Sequence, residues 1–259
     1  MALTLVVPSA IIVAYGFLTR GAYGGVERPW SFENFGRLLD PLYGAIFLRS
    51  FWIAGVATFL CVGLGFPLAL FIARSSRKNF YLSLVILPFW TSFLIRTYAW
   101  IFLLRDTVLI NTVLLRLHVI REPLALLYND GAVLLGLVYG FLPFAVLPLF
   151  ATLERLDKSL LEASADLGAT PWDTLWRVTV PLSAPGIRAA ALLVFVPCLG
   201  TYLTSDLLGG SKTILIGNLV QNQFTASRDW PFGAAASVGL MIVALALMCA
   251  ARGRGEELL

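Results

Sequence analysis

Few side chains in this sequence could do chemistry, and they are scattered. The single histidine, His118, has no His or Cys cluster around it, and no His-Glu-x-x-His pattern occurs. A metal centre or metal-activated hydrolase therefore has no ligand set. Cys61, Cys198 and Cys249 lie far apart inside apolar runs, which fits small buried hydrophobes better than a disulfide framework. Gly209-Gly-Ser-Lys-Thr213 lacks the G-x-x-x-x-G-K-[ST] spacing of a phosphate loop. No catalytic residue and no metal ligand is expected. Two charged features remain. Arg96 stands alone in an apolar stretch, where a charge costs a few kcal/mol, so it must face protein or water. It either snorkels to the outer interface or pairs structurally with a neighbouring helix, or else it faces a watery path or holds a gate. The second feature is a polar segment at 154–188 that holds several acids and bases between two apolar runs.

The rest of the chain explains why charge is scarce. Of 259 residues, 59% are hydrophobic and 13% charged, and the mean hydropathy is +0.84. A soluble domain carries roughly a quarter charged residues and cannot place this much apolar surface in one core. Dispersed cations with a net charge of +4 also argue against a nucleic-acid binder. The chain reads as an all-α integral membrane protein. A crossing needs about 20 apolar residues, and long charge-poor runs predict six spans, at about 2–19, 50–73, 80–104, 131–153, 189–205 and 230–251. The first is expected to be a retained span: no basic residue precedes Arg20 and no small-residue cleavage site is evident.

Six spans put both termini on one side of the membrane. Cations divide nine to nine between the two sides, so their total sets no orientation. The short loop Arg74-Ser-Ser-Arg-Lys78 carries three cations and no acid, which favours termini inside, since short loops weigh most in the positive-inside rule. Ser31 to Leu39 has an N-cap-like Ser and helical spacing of Phe32, Phe35, Leu38 and Leu39. It predicts a short amphipathic helix on the outer side, lying in the interface or capping the bundle. Trp30, Trp52, Trp90 and Trp230 fall near span ends, as interfacial anchors do.

The segment 154–188 is the most ordered of the connections. Asp157 can cap a helix that presents Leu160, Leu161, Ser164 and Leu167, and Gly168 is placed where a helix end needs positive φ. Thr170-Pro171-Trp172-Asp173 has the cap, Pro and acid of a second helix start, and Val180-Pro181 is expected to end it. The sequence from Glu162 to Pro181 resembles the EAA loop of binding-protein-dependent ABC importer permeases. Glu162, Ala163, Gly168 and Pro181 match at the family spacing, Ser164 replaces the second Ala, and Val178 and Val180 replace Ile and Leu. The loop also sits between the fourth and fifth of six expected spans.

This resemblance implies a type I importer permease fold, a single transmembrane domain over 1–259, and a cytoplasmic coupling loop at 154–188. Its helix would dock on an ATPase subunit, with Glu162, Ala163, Ser164, Gly168 and Pro181 as coupling residues. It also implies two ATPase subunits that bind ATP and Mg, a second related permease, an extracytoplasmic solute-binding protein and a place in the bacterial cytoplasmic membrane with both termini inside. No cofactor belongs to this chain itself. The implied partners include membrane lipid and no nucleic acid.

Further stretches are similar to the spermidine/putrescine branch of these permeases: Leu87 to Trp100, Gly136 to Phe144, Asp206-Leu-Leu-Gly-Gly210, Ile216 to Phe224 and Asp229-Trp-Pro231. That similarity implies a polyamine as solute. One departure bears on it. The branch carries Gly-Glu-Tyr-x-x-Pro before Asp-Leu-Leu-Gly-Gly, whereas this chain has Thr201 for the acid and Ser205 for the Pro. An aminophosphonate or another organic cation stays open as the solute, as does a non-transport assembly factor or membrane enzyme. Arg96, Tyr98, Trp100, Tyr202 and Asp206 are the expected path-lining groups, the aromatic faces and the carboxylate suiting a cation.

Overall fold

The structure is a computed structural model in which residues 2–105 and 109–256 are described. The ends of the expected domain, Met1 and 257–259, lie outside the described residues. Along the chain, α1 (Ala2–Gly16) leads into a two-strand hairpin, β1 (Thr19–Arg20) with β2 (Val26–Glu27), and then α2 (Glu33–Arg37). There follow α3 (Pro41–Arg74), α4 (Lys78–Ile86) with a 3-10 turn at Leu87–Trp90, α5 (Phe93–Leu104), α6 (Leu109–Arg116) and α7 (Asp130–Glu154). A connecting hairpin holds α8 (Lys158–Asp166), α9 (Pro171–Thr174), a π-helical turn at Leu175–Thr179 and α10 (Val180–Leu182). The chain continues as α11 (Ala184–Gly200), a second π turn at Ser205–Gly209, a 3-10 turn at Gly210–Lys212, α12 (Ile216–Phe224) and α13 (Trp230–Glu256).

Among the described residues, three helical segments are long and apolar enough to cross a membrane alone: Pro41–Arg74, Asp130–Glu154 and Trp230–Cys249. Two more candidates are bent pairs, Lys78–Trp90 with Phe93–Leu104 at 89° and Pro171–Leu182 with Ala184–Gly200 at 66°. α1, Ala2–Gly16, is an apolar helix of 15 described residues. A count of six crossings requires both bent pairs and α1 to span, and the candidate spans include straight and broken members.

Several expected boundaries move, each for a local reason. The helix that carries the second span begins at Pro41, ahead of Ser50. Asp40 Oδ1 accepts the Leu42 N–H at 2.9 Å with Pro at the first helical position, a strong start signal. Arg49 therefore lies within α3 and not in a loop, its charge answered by Asp130 Oδ1 at 2.7 Å and by the Lys212 carbonyl at 3.0 Å. Thr213 Oγ1 also donates to Asp130. The third span is broken because Pro88 lacks an N–H and Thr91 and Ser92 are extended. The fifth starts at Ala184, inside the expected 154–188 loop, and stops at Gly200, five residues short of the expected end.

Pro181 does not end the second loop helix. The backbone widens into the π turn at Leu175–Thr179, where the Val180 N–H reaches the Leu175 carbonyl, and runs on through Pro181 to Leu182. Widening of this kind makes room for a proline ring that an α-helix would clash with. The actual bend falls at Ser183.

The core is the packing of α3 on α7, with α11 against both. Its contact residues are small: Ala54, Ala57, Cys61 and Ala69 of α3, Ala132 and Ala145 of α7, Ala190 and Cys198 of α11, all nearly inaccessible. Helices in lipid gain from close approach through such residues, because apolar burial alone offers no advantage over lipid tails. α1 lies along α13. At its end, Asn34 Nδ2 donates to the carbonyls of Gly16 and Leu18 at 3.1 and 2.8 Å, satisfying groups that a helix C-terminus leaves open. Arg37 joins this cap to α13 through Asp229 at 2.9 Å and lies 4.2 Å over the Phe232 ring. Asp229 is buried and also accepts the Phe232 N–H.

α12 closes on the end of α11 with no side chain between. A Cβ at Gly217 would come within 2.7 Å of the Thr201 carbonyl oxygen and 2.8 Å of that of Gly200, both rigid backbone atoms. Gly217→Ala should therefore destabilise the folded protein by about 1–3 kcal/mol, read as a lowered Tm in detergent. An unchanged Tm would contradict this packing.

Candidate functional site

The site begins as a problem of chain reversal between two long helices. After α7 ends at Glu154, Asp157 accepts the Ser159 N–H at 2.9 Å and starts α8. α8 ends where Gly168 takes φ +78, a conformation that costs a side-chain-bearing residue but not glycine. Thr170 then accepts the Asp173 N–H and donates to that carboxylate at 2.5 Å, with Pro171 at the first position of α9. Ser164 Oγ and Thr174 Oγ1 are hydrogen-bonded at 2.9 Å across the pair. The result is a tight helix-turn-helix.

The matched residues do not share one role. Glu162, Ala163, Gly168 and Pro181 are exposed, whereas Ser164 is buried and serves the hairpin internally. One cavity, of about 630 Å³, is lined by Leu160, Ala163, Ser164, Leu167, Gly168, Ala169, Asp173, Arg177 and Val178. A second, of about 390 Å³, lies where the hairpin meets the bundle, between Leu70, Ala73 and Arg74 of α3, Leu153 and Glu154 of α7, and Lys158, Leu161, Glu162 and Thr179. Ala163 thus lines the outer groove and Glu162 the basal one. Lys78 pairs with Glu154 at 2.5 Å beside this base. Leu167 is 89% exposed, and Trp172 and Trp176 meet edge to face 5.7 Å apart while remaining accessible. α8 thus presents small residues beside accessible aromatic side chains on an open face at the end of the bundle.

The expected path residues are only partly brought together. α5, which bears Tyr98 and Trp100, packs against the π turn that bears Asp206. Trp100 is half-buried edge-on to Tyr139, 5.5 Å away, while Tyr98 and Asp206 are exposed. Tyr202 lies one turn before Asp206, whose N–H bonds to the Tyr202 carbonyl at 2.9 Å. It lines a cavity of about 250 Å³ with Gly200, Ile216, Gly217, Val220, Gln221, Ser237 and Leu240. Thr201 is the extended residue that ends α11. Arg96 is partly exposed, its guanidinium 5.0 Å from the Phe89 ring centre and 5.7 Å from that of Phe93. It forms no ion pair among the described residues, so the neighbouring-helix pairing is not seen within this chain.

Two organising residues escape sequence reasoning. Asn218 accepts from the Leu215 N–H and Ser205 Oγ and donates to the Tyr202 carbonyl, so one amide pins the segment from 202 to 218. Ser50 accepts the Ile216 N–H at 2.8 Å from 166 positions away. Asn218 stands in a stretch already marked by the family resemblance, but nothing local signals the partners of Ser50.

The caps of the hairpin make a prediction. Asp157 and Asp173 are held below the usual carboxylate range, the first chiefly by the Ser159 N–H and the second by the Thr170 hydroxyl. A depressed carboxyl contributes stability above its unfolded pKa of about 3.9, lost as pH falls through the folded value. Amide protection in α8 and α9 should be constant between about pH 5 and 8 and fall below about pH 4. At neutral pH, Asp157→Ala should raise exchange in α8 about fivefold. Exchange unchanged in that variant would show that the cap does not hold the helix.

Comparison with known proteins places these features. Residues 62–252 match the family described as binding-protein-dependent transport system inner membrane component. The spermidine/putrescine transport system permease protein PotB of Escherichia coli is 44% identical over 261 residues, covering 100% of this chain and 94% of that protein. PotB of Haemophilus influenzae is 39% identical, covering 98% and 90%. The inner membrane ABC transporter permease protein YdcU of E. coli is 35% identical, covering 83% and 73%. Among solved structures, a bacterial ABC transporter involved in import of the acidic polysaccharide alginate has a chain with TM-score 0.72 at 17% identity, covering 99% of this chain and 95% of that one. A complex of the bacterial alginate ABC transporter with its pentasaccharide-bound periplasmic protein gives TM-score 0.73 at 16% identity, covering 88% and 83%. The apolar helices, the open hairpin and these matches lead to one conclusion: the chain is a multi-pass membrane protein and belongs to the family of binding-protein-dependent transport system inner membrane components.

Proposed function

We propose that the chain is one permease subunit of an ABC importer for a polyamine such as spermidine or putrescine, and that the hairpin at 158–182 is its ATPase-coupling element. The exposed small-residue helix α8, set by Gly168 at positive φ, carries this reading. Its outer groove at Ala163 and Leu167 offers the contact surface, and Glu162, at the basal cavity beside Arg74 and Lys158, links hairpin movement to the ends of α3 and α7. Pro181 sits where the π turn feeds into α11, so a push on the hairpin is delivered to that span through the bend at Ser183. The chain itself performs no catalysis. ATP and Mg are bound by two partner ATPase subunits in the cytoplasm, which places the hairpin and both termini there.

A second permease and an extracytoplasmic binding protein complete the machine in the bacterial cytoplasmic membrane. The polyamine assignment rests on the relatives that carry that name and match nearly the whole chain. Tyr98, Trp100 and Asp206, on α5 and the π turn packed against it, are the groups of this subunit best suited to a passing amine. Aromatic faces and a carboxylate attract a cation without holding it in one geometry. Tyr202, exposed one turn before Asp206, completes this set of groups.

Two measurements test this. With the full transporter in proteoliposomes, binding protein loaded with spermidine or putrescine should stimulate ATPase activity several-fold. Absence of stimulation by any polyamine would remove the solute assignment. Gly168→Leu, which forces a branched side chain into positive φ, should insert normally yet lower transport at least about tenfold, the equivalent of the 1–2 kcal/mol cost of that conformation. Wild-type transport by that variant would remove the coupling assignment.

A further inference from the structure

Two cavities meet at the hairpin end of α3. One, of about 410 Å³, is an open groove along the last turns of the helix, lined by Pro67, Leu70, Phe71, Arg74 and Ser75. The other is the basal cavity of about 390 Å³ between α3, α7 and α8, and it shares Leu70 and Arg74 with the groove. Pro67 and Phe71 are exposed, so the groove lies on the outside of the bundle. Its wall is apolar up to Arg74, where the candidate span Pro41–Arg74 ends. The charges at this seam do not cancel. Glu154 lines the basal cavity but is already paired with Lys78. Arg74 and Lys158 line it too and form no ion pair among the described residues. Nor do Arg77 and Arg155, the sequence neighbours of that Lys–Glu pair. Against these four cations stand Glu162 and Asp157, the latter committed to the Ser159 N–H. Ser75 Oγ accepts the Arg77 N–H at 3.2 Å and its own hydrogen has no acceptor among the described residues.

We propose that the joined cavities bind an anionic phospholipid, with an acyl chain along Pro67, Leu70 and Phe71 and the phosphate at the seam on Arg74, Ser75 and Lys158. The guanidinium fork matches two phosphate oxygens, the hydroxyl donates to a third, and the ammonium adds a point charge. Basic pockets at the ends of spanning helices take anionic headgroups in this way. An apolar groove alone would accept any lipid tail; the surplus of cations at its end is what selects a headgroup. A zwitterionic lipid would bring an ammonium group into a corner of excess positive charge, which repels it. Lys158 opens α8, so the bound lipid also braces the base of the hairpin, a consequence that rests on the coupling reading above. The lipid site itself needs only the membrane placement of the chain.

Photoactivatable phosphatidylglycerol and phosphatidylcholine, each reactive near the headgroup, provide the test in nanodiscs holding the full chain with the subunits that co-purify with it. The phosphatidylglycerol probe should label the segment 67–75 at least about fivefold more than the phosphatidylcholine probe, the equivalent of one membrane-surface cation. Unlabelled cardiolipin should compete this labelling away, and unlabelled phosphatidylcholine should not. Arg74→Gln with Lys158→Gln should lower it at least about fivefold, whereas Arg74→Lys with Lys158→Arg should keep most of it. Equal labelling by the two probes would overturn the proposal, as would wild-type labelling of the double Gln variant. So would a segment 67–75 that takes no lipid label, as when another protein covers the groove. If the double Gln variant does not fold, the probe comparison and the competition in the wild-type chain decide. The readout needs neither solute nor ATP, so a failure of the importer reading leaves it intact, and its own failure leaves that reading standing.

Discussion

Lipid offers no hydrogen bonds, so every polar group of a spanning chain must be answered by the chain or by its partners. The irregular parts of this protein follow from that constraint. α11 stops at Gly200, and the backbone from 201 to 216 must turn back without a regular helix. Asn218 and Ser50 take up its free N–H groups and hydroxyl, while the π turn at Ser205–Gly209 keeps its own backbone bonded. Prolines are admitted on the same terms. Pro88 lies in a 3-10 turn, and Pro181 follows a π turn that removes the clash an α-helix would impose. The small residues between α3, α7 and α11 serve the constraint too, since helices that touch closely leave no gap for an unsatisfied group.

The same logic separates the site from its scaffold. Within the bundle, polar side chains are spent on the backbone, as Thr58, Thr97 and Thr152 each return a hydroxyl to a carbonyl one turn earlier. In the hairpin the reverse holds. Asp157 caps α8, and Thr170 and Asp173 bind each other, which leaves the outer face of α8 free of internal duties. Ser164 is the exception, and its bond to Thr174 fixes the angle between the two short helices. A rigid element with an uncommitted face can transmit a push, whereas a floppy tether cannot.

Much of this was legible in the sequence. The apolar runs gave the membrane class, Asp157, Gly168 and Thr170-Pro171 gave the hairpin and its turn, and the spacing from Glu162 to Pro181 gave the family. The errors share a cause. Hydropathy marks where lipid-compatible residues lie and is blind to helices that continue beyond them, so α3 began at Pro41 instead of Ser50. It is equally blind to a break within an apolar run, so the 89° bend at residues 91 and 92 was missed. Long-range partners such as Arg49 with Asp130, or Arg37 with Asp229, have no local signature at all. Proline read as a stop at 181 failed because a π turn can absorb it, a property of the preceding backbone and not of the proline.

The central claim is that α8 meets the ATPase. A photo-crosslinking residue at Leu167, which is 89% exposed at the tip of the hairpin, tests it most directly in the assembled transporter. The account predicts an adduct with the ATPase subunit whose yield changes between nucleotide-free and ATP-bound complexes. An adduct with lipid or with the other permease, and none with the ATPase in either state, would contradict it.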